Sequence, residues 1–138
     1  MPDVIEFSVP LPPSCLSPNA SAHWSQKAAA KREYAEVVWL AGQFGDPGCV
    51  PPWYMRPRWH KPWAWAAVHL TWYSIQRKDE DNIIGHCKSL IDGLSSKGQK
   101  PLSIFEDDKR ITVTAEWRKV SHKVEQCVEV RVMRREDP

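Results

Sequence analysis

The sequence predicts an α/β (α+β) two-layer sandwich, a mixed β-sheet with two helices on one face, in the order β-α-β-α-β-β. Three observations carry the prediction. Several short stretches place apolar residues at every second position, the period of a half-buried strand. Two longer stretches place them at helical spacing instead. The helical patterns stand between strand patterns rather than in a block of their own, so both layers form from one continuous chain. The 138 residues suit one domain, 1–138, and can bury a real core.

The elements follow in order. "DVIEFSVP" sets Ile5, Phe7 and Val9 on one side and reads as an opening strand, and the Pro- and Ser-rich "LPPSCLSPNAS" as a loop. From about Ser25 to Ala41, strong helix formers carry a stripe of Ala30, Tyr34, Val37, Val38 and Ala41 that Gly42 and Gly45 end. The prolines of 46–63 exclude regular structure, because each removes a donor and fixes its backbone. A strand is expected from about Trp65 to Arg77. The second helix is expected from about Asn82 to Leu94, burying Ile83, Ile84, Cys87, Leu90, Ile91 and Leu94. Two last strands are expected at Arg110–Trp117, with Ile111, Val113 and Ala115 in register, and at Val124–Met133, with Val128, Val130 and Val132.

Composition narrows the function classes. No apolar run reaches membrane-spanning length, and the opening residues lack a signal-peptide pattern. Cys15, Cys49, Cys87 and Cys127 form no CxxC pair and read as free thiols of a cytoplasmic protein. The formal net charge is +2, from 19 basic and 17 acidic residues. Six of the acids fall in two knots, Asp79–Glu80–Asp81 and Glu106–Asp107–Asp108. Outside them, 19 basic residues stand against 11 acidic, a balance of +8. If cations neutralise the knots, the remaining surface suits a polyanion such as nucleic acid.

The first knot lies in "RKDEDNIIGHCKSLIDGL", where a strand is expected to give way to a helix. On a strand, Asp79 and Asp81 would point the same way. Carboxylates that close repel unless a hard divalent ion such as Mg²⁺ or Mn²⁺ holds both ionised. Asp81 or Asn82 can also cap the helix, which turns its electropositive end toward the same place. Lys88 follows Asp81 by seven residues, about two turns, and so lies on nearly the same side. Taken alone, each feature is bland: a DxD at a helix start reads as a solvated cap, the second knot as an exposed turn, and Lys88 as a solvated helix lysine.

Taken in order, "DEDN" 79–82, Lys88, "LIDGL" 90–94 and "EDD" 106–108 resemble the signature of the RusA family of Holliday-junction endodeoxyribonucleases. "LPPSCLSPN" and "HWSQKAAAKREYAE" are similar to that family's opening loop and first helix. The sequence departs from the pattern in a spacer between Asn82 and Lys88 about one turn longer, in an apparent insertion at about 46–65, and in a long 95–105 loop. The resemblance implies a Mg²⁺-dependent (or Mn²⁺-dependent) homodimeric nuclease of DNA recombination and repair. Such an enzyme resolves four-way DNA junctions by paired cuts, and a phage or prophage origin is the family-level expectation. It makes Asp79, Asp81 and Asp108 the metal ligands, with Asp107 the substitute for Asp108, and Lys88 the essential lysine. Asn19, Lys27, Lys31, Arg32, Arg110 and Lys119 are the candidates for holding DNA. The alternatives are a nucleic-acid-binding module without catalysis and a metal-dependent phosphohydrolase acting on small nucleotides.

Eight tryptophans are many for this length. Trp53, Trp59, Trp63 and Trp65 crowd the proline-rich stretch beside Arg56, Arg58 and Lys61. Packing of that stretch against the core or the dimer partner is the favoured expectation, ahead of stacking on unpaired bases or wedging between base pairs. His69 is expected to be a satisfied sheet residue, although strand parity could also carry it toward Asp79. His23, His60, His86 and His122 show no ligand spacing.

Overall fold

The computed structural model describes residues 4–44, 62–96 and 102–136. The expected insertion lies mostly outside the described residues, with Trp53, Arg56, Arg58, Trp59, His60 and Lys61. The chain folds as an α+β structure with a four-stranded mixed sheet. Its strands are β1 (Val4–Val9), β2 (Ala66–Ser74), β3 (Ile111–Lys119) and β4 (Cys127–Arg134). Its helices are α1 (Trp24–Phe44), α2 (Glu80–His86) and α3 (Lys88–Leu94). In the sheet the order is β1-β4-β2-β3. β4 is antiparallel to both neighbours, and β2 and β3 run parallel. Parallel partners need a crossover, which α2 and α3 supply.

Alternation decides which face is covered. Ile5, Phe7 and Val9 of β1, Val68, Leu70 and Trp72 of β2, Ala115 of β3 and Val128, Val130 and Val132 of β4 are buried in one core. The helices close it with Tyr34, Val38, Ile83, Cys87, Leu90, Ile91 and Leu94. Burial pushes the Cys87 thiol up to about 12, so it packs as a small apolar group. The other face of the sheet is polar. There His69 bonds Thr114 Oγ1 at 2.7 Å and Glu116 Oε1 at 3.1 Å. Arg131 Nε reaches Glu6 Oε1 at 3.2 Å. His69 is therefore the satisfied sheet residue expected of it.

The structure corrects several expectations. Helix α1 runs through Gly42 to Phe44, because Gly42 packs where a Cβ would run into Leu102. Val37 of the expected stripe is exposed, since the buried stripe turns through Tyr34 and Val38. The second helix is two seven-residue helices broken at Cys87 (φ −93°, ψ 12°), so three helices are described rather than two. Strand β2 ends at Ser74, three residues before Arg77. Strand β4 starts at Cys127, because Lys123–Glu125 form a 3-10 turn that leaves Val124 exposed.

Phe105 ties the far end of the crossover to the sheet. It is fully buried and bridges both Trp63 and Ser95. Trp63 is buried with it, which fits the packing expectation for that tryptophan. Phe105→Ala should lower unfolding free energy by about 3–5 kcal/mol, read as a lower urea midpoint with an unchanged slope. A shift below ~1 kcal/mol would mean that Phe105 is not the anchor its burial indicates.

Candidate functional site

The first acidic knot stands five residues beyond β2. Asp79 is the N-cap of α2, with extended backbone (φ −73°, ψ 152°), and Glu80 and Asp81 fill the first turn. The strand premise for Asp79 and Asp81 therefore does not hold: one caps the helix and the other lies within it. The capping position expected for Asp81 or Asn82 belongs to Asp79. Its carboxylate makes no side-chain cap bond. All three acids are exposed, and none pairs with a described residue. They favour the helix end through its dipole and keep their oxygens available.

Immediately before them, Lys78 is held in place. Its Nζ lies 2.8 Å from His86 Nδ1 and 4.5 Å from the centre of the Trp72 ring. His86 Nε2 donates to the Pro13 carbonyl at 2.8 Å, which leaves Nδ1 to accept from the lysine. Burial lowers the pKa of both Lys78 and His86. Gly85 makes the neighbouring contact possible, since a Cβ there would stand 2.7 Å from Pro18 Cγ. Loop 10–23 thus closes on α2. Sequence reading missed Lys78 and His86, although their spacing of eight residues across the N-cap was a usable signal.

Lys78 also lines a cavity of about 460 Å³ with Arg77, Lys123, Gln76, Gln126 and Ser74. Its three charged side chains are all cationic. Gln126 Oε1 accepts from the Ile75 amide at 3.2 Å, and the Ser74 hydroxyl donates to the Gln76 carbonyl, so the turn after β2 is fixed. The cavity can take an anion, and the first knot begins one residue after Lys78.

The second knot lies elsewhere. Asp107 caps a 3-10 turn over Asp108–Arg110, accepting from the Lys109 amide at 3.1 Å, and β3 starts at once after it. Strand register pairs Ala66 with Ile111 and Ser74 with Lys119. Asp79 therefore follows the C-terminal end of β2, while Asp107 and Asp108 precede the N-terminal end of β3. The paired strands hold nine residues each, or roughly 26 Å at about 3.3 Å per residue. The crossover agrees: α2 and α3 cover about 21 Å at ~1.5 Å per residue, and Ser95 at their end meets Phe105, just before the second knot. Within one chain the two knots sit at opposite ends of the strand pair. The Asp108 side chain lies outside the described residues. Among those described, no three His, Cys, Asp or Glu side chains group to hold a metal ion. Lys88 is the exposed first residue of α3, about 10 Å along the helical path from Asp81.

The other sequence candidates scatter. Asn19 is exposed in the loop before α1. Lys27, Lys31 and Arg32 lie on α1, with Lys27 Nζ donating to the Ala20 carbonyl at 3.1 Å. Lys119 ends β3, and Arg110 lies at the other end beside Trp65. No protein-family model matches the chain, and no curated protein matches it. Among the described residues no helix is long and apolar enough to cross a membrane.

The buried imidazole gives a pH prediction. The folded pKa of His86 lies below its ordinary 6.5. Below that value the unfolded state binds more protons than the folded state, so stability falls as pH falls. Thermal midpoints should drop between pH 7 and pH 5, and His86→Gln, which keeps a donor for Pro13, should reduce the drop. Equal drops in both proteins would assign the acid sensitivity to other groups.

Proposed function

We propose that the protein is a divalent-metal-dependent, structure-selective endonuclease that resolves four-way DNA junctions as a homodimer. The observation that carries the reading is the pairing of opposite charges at the end of β2. Asp79 and Asp81 present carboxylates that pair with no described residue, directly after a segment, Arg77 and Lys78, that lines a cavity with Lys123. Hard carboxylate oxygen suits Mg²⁺ or Mn²⁺, and the cations suit the phosphate that such an ion acts on. The motif order of "DEDN", Lys88 and "EDD" supports the same reading.

One chain does not close the donor set, because the second knot is a strand length away. Two copies related by a two-fold axis, with their β2–β3 pairs antiparallel, set Asp79 and Asp81 of one copy near Asp108 of the other. That arrangement generates two equivalent sites, which is what paired cuts in a junction require. When bound there, the ion would polarise the phosphodiester and acidify water. Asp79, Asp81 and Asp108 would hold it, Lys78 and its neighbours would seat the phosphate, and Lys88 would offset charge growing on the phosphate oxygens. A second reading, a binding module without catalysis, is favoured by the separation of the two knots along one chain.

A synthetic four-way junction decides between the two readings. Cleavage should need Mg²⁺ or Mn²⁺, while binding survives chelation. Asp79→Asn should abolish cutting and leave binding intact or tighter, because phosphate repulsion falls. Full cutting in excess chelator would remove the metal from the mechanism, and binding without cutting under any ion would leave the second reading.

The two lysines should separate in the same assay. Lys88→Ala should slow cleavage by at least ~100-fold at unchanged affinity, the scale of removing one charged group that stabilises a transition state. Lys78→Ala should instead weaken binding. Unchanged cleavage by Lys88→Ala would move the transition-state role to another cation.

A further inference from the structure

A second cavity, of about 400 Å³, opens at the N-terminal ends of β2 and β3. Lys109, Arg110 and Arg135 converge on it from two segments far apart in sequence, with Glu136 as the acidic residue in its lining. None of the three cations pairs with a carboxylate of a described residue. The two arginines are fixed in other ways. Arg135 donates from its amide to the Trp65 carbonyl at 3.0 Å and from Nη1 to Thr112 Oγ1 at 3.2 Å. Arg110 lies over the Trp65 ring, 5.6 Å from its centre, and its amide donates to the Asp107 carbonyl at 3.2 Å. Three like charges held at the mouth of one cavity repel each other, and a bound anion relieves that repulsion.

We propose that this cavity is a second phosphate site, which takes the backbone of the same nucleic-acid arm that the Arg77–Lys78–Lys123 cavity holds. The inference rests on the nucleic-acid reading above. The two cavities lie at the two ends of one nine-residue strand pair, roughly 26 Å apart. At about 3.4 Å per base pair, that distance is close to eight base pairs. Within one copy, a duplex lying parallel to β2 can reach both cavities, and a much shorter one reaches a single cavity. Exposed Lys119, at the end of β3, continues the basic path toward Lys123, while its neighbour Arg118 pairs with Glu116 at 3.2 Å.

Anisotropy titrations of the full chain with labelled DNA hairpins test this, using stems of 16 and 5 base pairs and tripolyphosphate as the free-phosphate probe. Lys109→Ala/Arg135→Ala should weaken the long hairpin at least tenfold at low salt. It should also reduce the slope of log affinity against log salt by about 2, since each phosphate that a cation neutralises adds about 0.9 to that slope. The short hairpin should change by no more than about threefold, and thermal melting should confirm that the double variant folds. An unchanged long hairpin, or equal weakening of both stems, would overturn the second site. If Arg77→Ala/Lys123→Ala still weakens binding in that case, the nucleic-acid reading stands without it. Wild-type protein that binds neither hairpin would overturn both. Tripolyphosphate bound by that same protein, with no binding by the Lys109/Arg135 variant, would mark the cavity as a site for free phosphates.

Discussion

The parallel pairing of β2 with β3 is the constraint on which the rest of this structure depends. Parallel neighbours cannot be joined by a tight turn, so the chain must return the length of the sheet before β3 begins. α2 and α3 make that return with Ile83, Cys87, Leu90, Ile91 and Leu94 buried against the strands. The charged segments at the two ends of the crossover are thereby held apart. Whatever the two acidic knots do, they do it from opposite ends of β2 and β3, and each has its own group of cations beside it.

That arrangement also explains the charge pattern. Each knot leads directly into ordered backbone: Asp79 at the cap of α2 and Asp107 at the cap of the turn before β3. Each end of the strand pair also places cations over aromatic rings, Lys78 over Trp72 and Arg110 over Trp65. A ring face attracts a cation without neutralising it. At the β2 end, fixed positive charge therefore precedes carboxylates that pair with no described residue, a state that suits binding a phosphate and a metal ion together.

Much of the fold was legible because its signals are local. The alternation of Val128, Val130 and Val132 and the spacing of Ile83, Cys87, Leu90 and Leu94 report burial directly, and the structure buries all of them. Tertiary packing decided the rest. The break at Cys87 has no proline or glycine at that residue to announce it, and Gly42 stays helical because Leu102 packs on it. The parity argument for Asp79 and Asp81 assumed a strand that in fact ends at Ser74. The seating of Lys78 on His86 and Trp72 depends on loop 10–23 folding over α2, which joins residues 73 apart. Motif order in a sequence likewise carries no information about which end of a strand pair each motif occupies.

The central claim is that a complete metal site needs carboxylates from two copies of the chain. Mixing two inactive variants tests it most directly. Asp79→Asn and Asp108→Asn each disable both sites of a homodimer. In a mixed dimer with shared sites, both substitutions fall in one site and leave the other intact. Co-refolded at equal amounts, the two variants should regain junction nicking at roughly a quarter of the wild-type rate, as single nicks rather than paired cuts. Activity in the mixture no higher than in either variant alone would contradict the claim and place each site within a single chain.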